Sequence, residues 1–133
     1  MKTKLILTCV VAIILLSSGA CSSVPEQVSV DASYTGKEVE IAVHGSLIVT
    51  LDSNPSTGFQ WSQQAQISDQ TVLGQTDHEF MPAESAAIGA AGKEVWTFKA
   101  LKKGKSTISM EYRQPWEQSG PAAKTFTLTV AVK

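Results

Sequence analysis

Residues 95–112 read VWTFKALKKGKSTISMEY, and two runs within them are apolar at every second position: Trp96, Phe98 and Ala100, then Ile108, Met110 and Tyr112. A period of two is the pattern of a strand that buries one face. The Lys- and Gly-rich turn LKKGK at 101–105 predicts that the two runs form a hairpin. Downstream, Phe126, Leu128, Val130 and Val132 repeat the alternation. Upstream, Val39, Ile41 and Val43 alternate with Glu38, Glu40 and Ala42, and Leu47, Val49 and Leu51 follow beyond a turn at HGS, 44–46. Phe59 and Trp61 share a face in a short strand, and a weaker segment at 71–80 supplies one or two more. No segment has a helical period and no internal repeat is present. About seven or eight short strands in this length predict an all-β chain folded as an antiparallel β-sandwich.

The chain has 133 residues with 11 Lys and Arg against 12 Asp and Glu, a net charge of −1, and 43% of its residues are hydrophobic. That mixture is globular, excludes a disordered or collagenous chain, and lacks the basic excess that nucleic-acid binding needs. The first twenty residues stand apart. Lys2 and Lys4 precede the apolar run Leu5 to Leu16, broken only by Thr8, and the small residues SSGA at 17–20 lead to Cys21. The run is shorter than the ~20 residues of a membrane span and reads as an export signal. The junction resembles a bacterial lipoprotein box, with Ser18 where Leu is usual. That resemblance implies lipidation of Cys21, anchoring in the cell envelope and, from Ser22, the outer membrane facing the periplasm. Ordinary cleavage near Ala20, giving a soluble periplasmic protein, is the alternative.

The expected organisation is a signal peptide at 1–20, lipidated Cys21 and a flexible tether at 21–33, and one domain at 34–133. SSVPEQVS at 22–29 is polar and contains Pro, as tethers are. Removing Lys2 and Lys4 leaves nine bases against twelve acids, a mature charge of −3. Cys9 leaves with the signal and Cys21 sits at the junction, so the domain has no cysteine for an internal disulfide or a thiol nucleophile. Its stability must come from the apolar core, and a monomer is expected.

Three segments between the strands have unusual composition: NPSTG at 54–58, PAESAAIGAAG at 82–92 and RQPWEQSGP at 113–121. Alternate connections of a sandwich emerge at the same end, so the three predict one composite tip. The first is built of turn-forming residues and on chemistry alone reads as structural. In the second, Gly89 and Gly92 serve positive φ, close backbone approach or simple flexibility. In the third, Trp116 falls outside the alternation, whereas Trp61 and Trp96 fall on inward faces. An exposed Trp beside Arg113 suits a binding anchor, and a Trp folded back over the end of the sandwich is the other reading.

NPSTGFQW at 54–61, GAAGKEVWTF at 89–98 and YRQPWE at 112–117 resemble, in order and spacing, the three signature segments of chagasin-type inhibitors of papain-like cysteine peptidases. The resemblance spans residues 38–133. It implies an immunoglobulin-like β-sandwich whose three loops form a wedge for the active-site cleft of such a peptidase. On that resemblance the central loop is Asn54, Pro55, Ser56, Thr57, Gly58 and Phe59, with Ser56 and Thr57 nearest the target's catalytic cysteine. Gly89, Ala90, Ala91 and Gly92 form one flank, and Arg113, Gln114, Pro115 and Trp116 the other. Two positions depart from the pattern: Ala91 stands where Gly is usual, and Gln114 where Arg directly precedes Pro-Trp. Arg113 is a candidate to replace that charge.

An enzyme would need an acid, base, nucleophile or metal, and the mature chain offers His44, His78 and scattered carboxylates. Asp77, His78 and Glu79 lack a ligand framework and read as a solvated polar turn. No catalytic activity, cofactor or metal is expected. An envelope interaction module with a non-peptidase partner is the alternative function.

Overall fold

The computed structural model describes residues 23–83, 91–117 and 119–133. The export segment 1–20, Cys21, and Gly89 and Ala90 lie outside the described residues. Among those described, the chain forms nine strands: β1 (Gln27–Val30), β2 (Glu38–Ile41), β3 (Ser46–Ser53), β4 (Gln60–Trp61), β5 (Gln66–Ile67), β6 (Leu73–Met81), β7 (Gly92–Ala100), β8 (Gly104–Arg113) and β9 (Lys124–Val132). One sheet has the order β1-β3-β7-β6, and the other β2-β9-β8-β4 with β5 also on β8. The result is the expected all-β, immunoglobulin-like sandwich.

The alternation in the sequence is the alternation of burial. Along β7, Trp96, Phe98 and Ala100 point inward, and along β8, Ile108, Met110 and Tyr112 do. Leu47, Val49 and Leu51 of β3 and Phe126, Leu128 and Val130 of β9 complete the two facing layers. Each fully buried large side chain contributes ~1.5–3 kcal/mol, which lets the core stand without a disulfide.

Several details differ from the sequence expectation. LKKGK does not close a hairpin: β7 pairs with β3 and β6, whereas β8 pairs with β9. Two strands with one apolar face each can lie side by side or face each other across the core, and alternation alone does not distinguish these. Here the turn crosses between sheets, with the Leu101 amide donating to the Val72 carbonyl at 2.7 Å. The HGS turn crosses likewise, since β2 pairs parallel with β9 and β3 lies in the other sheet.

The sandwich is antiparallel in its interior, but β1 joins β3 in parallel, as β2 joins β9. The count exceeds the expected seven or eight because β4 and β5 are two short pieces along β8 and because β1 falls within the stretch read as tether. Val28 and Val30 carry too short an alternation to stand out beside Pro25 and Glu26, yet Val30 is only 4% exposed. A 3-10 turn at Ala32–Tyr34 follows, capped by Asp31, whose carboxyl the Ser33 hydroxyl and amide hold below the usual carboxylate range. The weak 71–80 segment is one edge strand, β6, with a register shift between Gln75 and Asp77 and only Leu73 buried. Asp77, His78 and Glu79 therefore belong to a strand and not to a solvated turn.

If β1 is part of the folded domain, Val30→Asp, which buries an unpaired charge against Val49, lowers unfolding free energy by at least about 2 kcal/mol in urea titrations. An unchanged midpoint would mean that this segment is a tether.

Candidate functional site

The strand registers bring the described parts of the three singled-out segments to one end of the sandwich. Ser53, at the end of β3, pairs with Gly92 at the start of β7, and Arg113, at the end of β8, pairs with Gln60 at the start of β4. The central loop leaves β3, the second segment enters β7 and the third leaves β8.

The central loop is a short 3-10 turn, Pro55–Thr57, built by its own side chains. Asn54 caps it, its Oδ1 accepting from the Ser56 amide at 3.2 Å and the Ser56 hydroxyl at 2.6 Å. Thr57 Oγ1 donates to the Asn54 carbonyl at 2.7 Å and accepts from the Phe59 amide at 3.3 Å. Pro55 fixes its own φ, and Gly58 closes the turn at φ +84°, where a side chain would be strained. Pro55, Ser56 and Thr57 are exposed at the tip, whereas Phe59 turns back and stacks on Tyr112 with ring centroids 5.5 Å apart. Tyr112 also accepts from the Asn54 amide, at 3.2 Å, and packs against Trp61.

The third segment rests on the first. A Cβ on Gly58 would lie 2.9 Å from Cη2 of Trp116 and 3.7 Å from Nε2 of Gln114, so the indole seats on the glycine. Trp116 is nevertheless 68% exposed, the most exposed of the large apolar side chains described. It neither enters the core nor caps it. Arg113 is engaged within its own segment: Nη1 donates to the carbonyls of Glu117 and Gly120, each at 3.3 Å, and Nη2 pairs with Glu111 at 3.0 Å. Its guanidinium braces the loop.

Of the second segment, Ala91 is exposed and Gly92 is buried. A Cβ on Gly92 would lie 2.5 Å from the Met81 carbonyl and 2.8 Å from Cζ of Phe80, so this glycine serves the close approach of β6 to β7. Phe80 and Met81 are 42% and 49% exposed beside it.

Beneath the tip lies Glu94, 4% exposed, on the inward face of β7 in line with Trp96 and Phe98. Its Oε2 accepts from the Ser53 hydroxyl at 2.6 Å and the Trp61 amide at 3.2 Å, and its Oε1 faces Nε2 of His78 at 2.8 Å. Neither Glu94 nor Tyr112 is among the residues the sequence reading placed in the site. The period of two through 96, 98 and 100 does put residue 94 on the buried face, which is the signal that finds it. Among the described residues no group of three or more His, Cys, Asp and Glu comes together as metal ligands. Among the described residues the arrangement is a braced projection with hydroxyls at its point and an indole at its side.

The profile of the chagasin family peptidase inhibitors I42 matches residues 40–130. Chagasin from Trypanosoma cruzi is 26% identical over 106 residues, spanning 78% of this chain and 94% of chagasin. The crystal structure of the cysteine protease inhibitor EhICP2 from Entamoeba histolytica matches with a TM-score of 0.70 and 21% identity, over 82% of this chain and 99% of that one. The structure of PbICP-C in complex with falcipain-2 matches with a TM-score of 0.56 and 17% identity, over 84% and 93% of the two chains. At these identities the two structural likenesses establish the fold.

Gly58→Ala would strain the turn and displace the Trp116 ring. It is expected to lower unfolding free energy by about 1–2 kcal/mol and to shift the Trp116 indole N–H resonance. A variant with parental stability and an unmoved indole signal would contradict the seating of Trp116 on Gly58.

Proposed function

The chain belongs to the chagasin family of peptidase inhibitors, and from that premise we propose that it inhibits papain-like cysteine peptidases reversibly, by filling the active-site cleft with the tip of the sandwich. Members of this family are inhibitors, and the chain is not an enzyme. The observation that carries the proposal is the seating of Trp116 on Gly58, which joins the central and third loops into one projection. Solved likenesses described as a cysteine protease inhibitor and as a complex with falcipain-2 support the same target class.

Blocking a cleft needs occupancy and no chemistry of the inhibitor's own. Ser56 and Thr57 are exposed with small side chains, so a turn bearing them can approach a recessed thiolate closely. Asn54 and Thr57 already hold the turn's amides, so little ordering entropy remains to oppose binding. A capped 3-10 turn also does not offer an extended peptide to a nucleophile in attack geometry, which suits an inhibitor that is not cleaved. Trp116 supplies apolar burial at the flank, as exposed aromatic anchors do. Gln114, next to Gly58, takes part as a neutral hydrogen-bonding group, and Ala91 narrows the backbone freedom of the second loop. Gly89 and Ala90 complete that flank in this reading. The three loops together suit an interface of roughly 1,600 Å². The family match favours this reading over an envelope module with a non-peptidase partner.

We further propose export and lipid anchoring at Cys21, on the support of the residue pattern at 1–22 alone. The domain would then face the periplasm from the outer membrane, as a monomer.

Titrating papain with the purified protein is expected to abolish hydrolysis of a small peptide substrate reversibly while trypsin is unaffected. Trp116→Ala should weaken inhibition by ~30-fold or more, the equivalent of a hot-spot loss of about 2 kcal/mol. Failure of the folded protein to inhibit would overturn the assignment, and parental potency in the variant would remove the third loop from the interface. For the anchor, Cys21→Ser should move the protein from the membrane to the soluble fraction; retention on the membrane would refute lipidation at this residue.

A further inference from the structure

We propose that Glu94 is a positioning residue for inhibition, clamping both stems of the central loop with one buried carboxylate that His78 holds from behind. The proposal rests on the inhibitor reading and adds to it the part that fixes the wedge. The two stems belong to different sheets: Ser53 ends β3 in the first, and Trp61 lies in β4 of the second. No backbone ladder runs between sheets, so their separation at this end depends on side chains. Oε2 of Glu94 accepts from both stems, from Ser53 Oγ at 2.6 Å and from the Trp61 backbone amide at 3.2 Å. Trp61 adds a direct bond of its own, Nε1 donating to the Asp52 carbonyl at 3.0 Å. Residues 54–60 are thus strung between two points held to the same atom.

The remaining oxygen is not left to water. His78 Nε2 faces Oε1 at 2.8 Å, the donor to an ionised Glu94, with 18% of the His78 side chain and 6% of the Glu94 side chain exposed. The imidazole is backed by Trp96, ring centroids 5.1 Å apart. Every buried polar side-chain atom among the described residues has a partner. A carboxylate in this place is a poor choice for stability alone, because an apolar side chain of similar size would avoid its desolvation. What it supplies is a fixed geometry: three donors from β3, β4 and β6 converge on two oxygens whose spacing cannot change. The position is also continuous with the tip, since Ser53 and Trp61 flank the turn that carries Ser56 and Thr57.

The test compares the parent with Glu94→Leu, Glu94→Gln and Ser53→Ala, by amide hydrogen exchange of the free proteins and by inhibition of papain. Glu94→Leu should speed exchange at Ser56 to Phe59 by about tenfold relative to Leu128, as loss of hydrogen bonds to a charged acceptor implies, and weaken inhibition by a similar factor. Glu94→Gln, whose carbonyl can keep both stem bonds, should stay within about threefold of the parent in both readouts. Loop exchange and inhibition unchanged in Glu94→Leu, or Gln behaving as Leu does, would overturn the clamp. If Glu94→Leu does not fold, Ser53→Ala decides: it removes one stem bond and should speed loop exchange by about threefold or more, and unchanged exchange overturns the proposal. If the parent itself does not inhibit papain, the inhibitor reading falls, and the exchange contrast alone then decides the clamp.

Discussion

A carboxylate taken out of water must be given donors in its place, and that requirement at Glu94 organises the functional end of this sandwich. The donors come from three strands in two sheets: Ser53 on β3, Trp61 on β4 and His78 on β6. Meeting it fixes where β4 starts relative to where β3 stops. Apolar burial is non-directional, whereas hydrogen bonds to a carboxylate set direction as well as distance. The aromatic cluster above adds direction of another kind, with Trp61 edge-on to Trp96 and tilted against Tyr112. Tyr112 then reaches the tip itself, through the Asn54 amide and the Phe59 ring.

The loops inherit this order and add their own. Within the central turn, Asn54 and Thr57 accept from the Ser56 and Phe59 amides, and the Thr57 hydroxyl donates to the Asn54 carbonyl. Between loops, the indole of Trp116 sits where a Gly58 side chain would be. Arg113 closes the third loop on itself through two carbonyls and Glu111. An exposed surface held by these bonds suits a rigid competitor for a preformed cleft, because little freedom is lost on binding.

Much of this was legible in the sequence. The inward faces of β3, β7, β8 and β9 follow from alternation at 47–51, 96–100, 108–112 and 126–132, and Trp116 declares itself by breaking that rhythm. Pairing is less legible: alternation says which face a strand buries, not whether its neighbour in sequence lies beside it or across the core, so LKKGK has the composition of a hairpin turn yet crosses between sheets. β1 and β6 gave weak signals because edge strands bury few side chains. Glu94 was hidden for a different reason. A charged residue in a strand is read as solvent-facing, and only its partners, 41 and 33 residues away in sequence, make its burial tolerable. Arg113 illustrates the converse, a charge that looks available in the sequence and is engaged within its own loop in the structure.

The central claim is that the three-loop end of the sandwich occupies a peptidase cleft. A crystal structure of the protein bound to papain tests it most directly. The account predicts Ser56 and Thr57 against the catalytic cysteine, Trp116 packed on the cleft wall, and a central turn unchanged from its free form. A complex formed through another face of the sandwich, or one that leaves the cleft open, would contradict it.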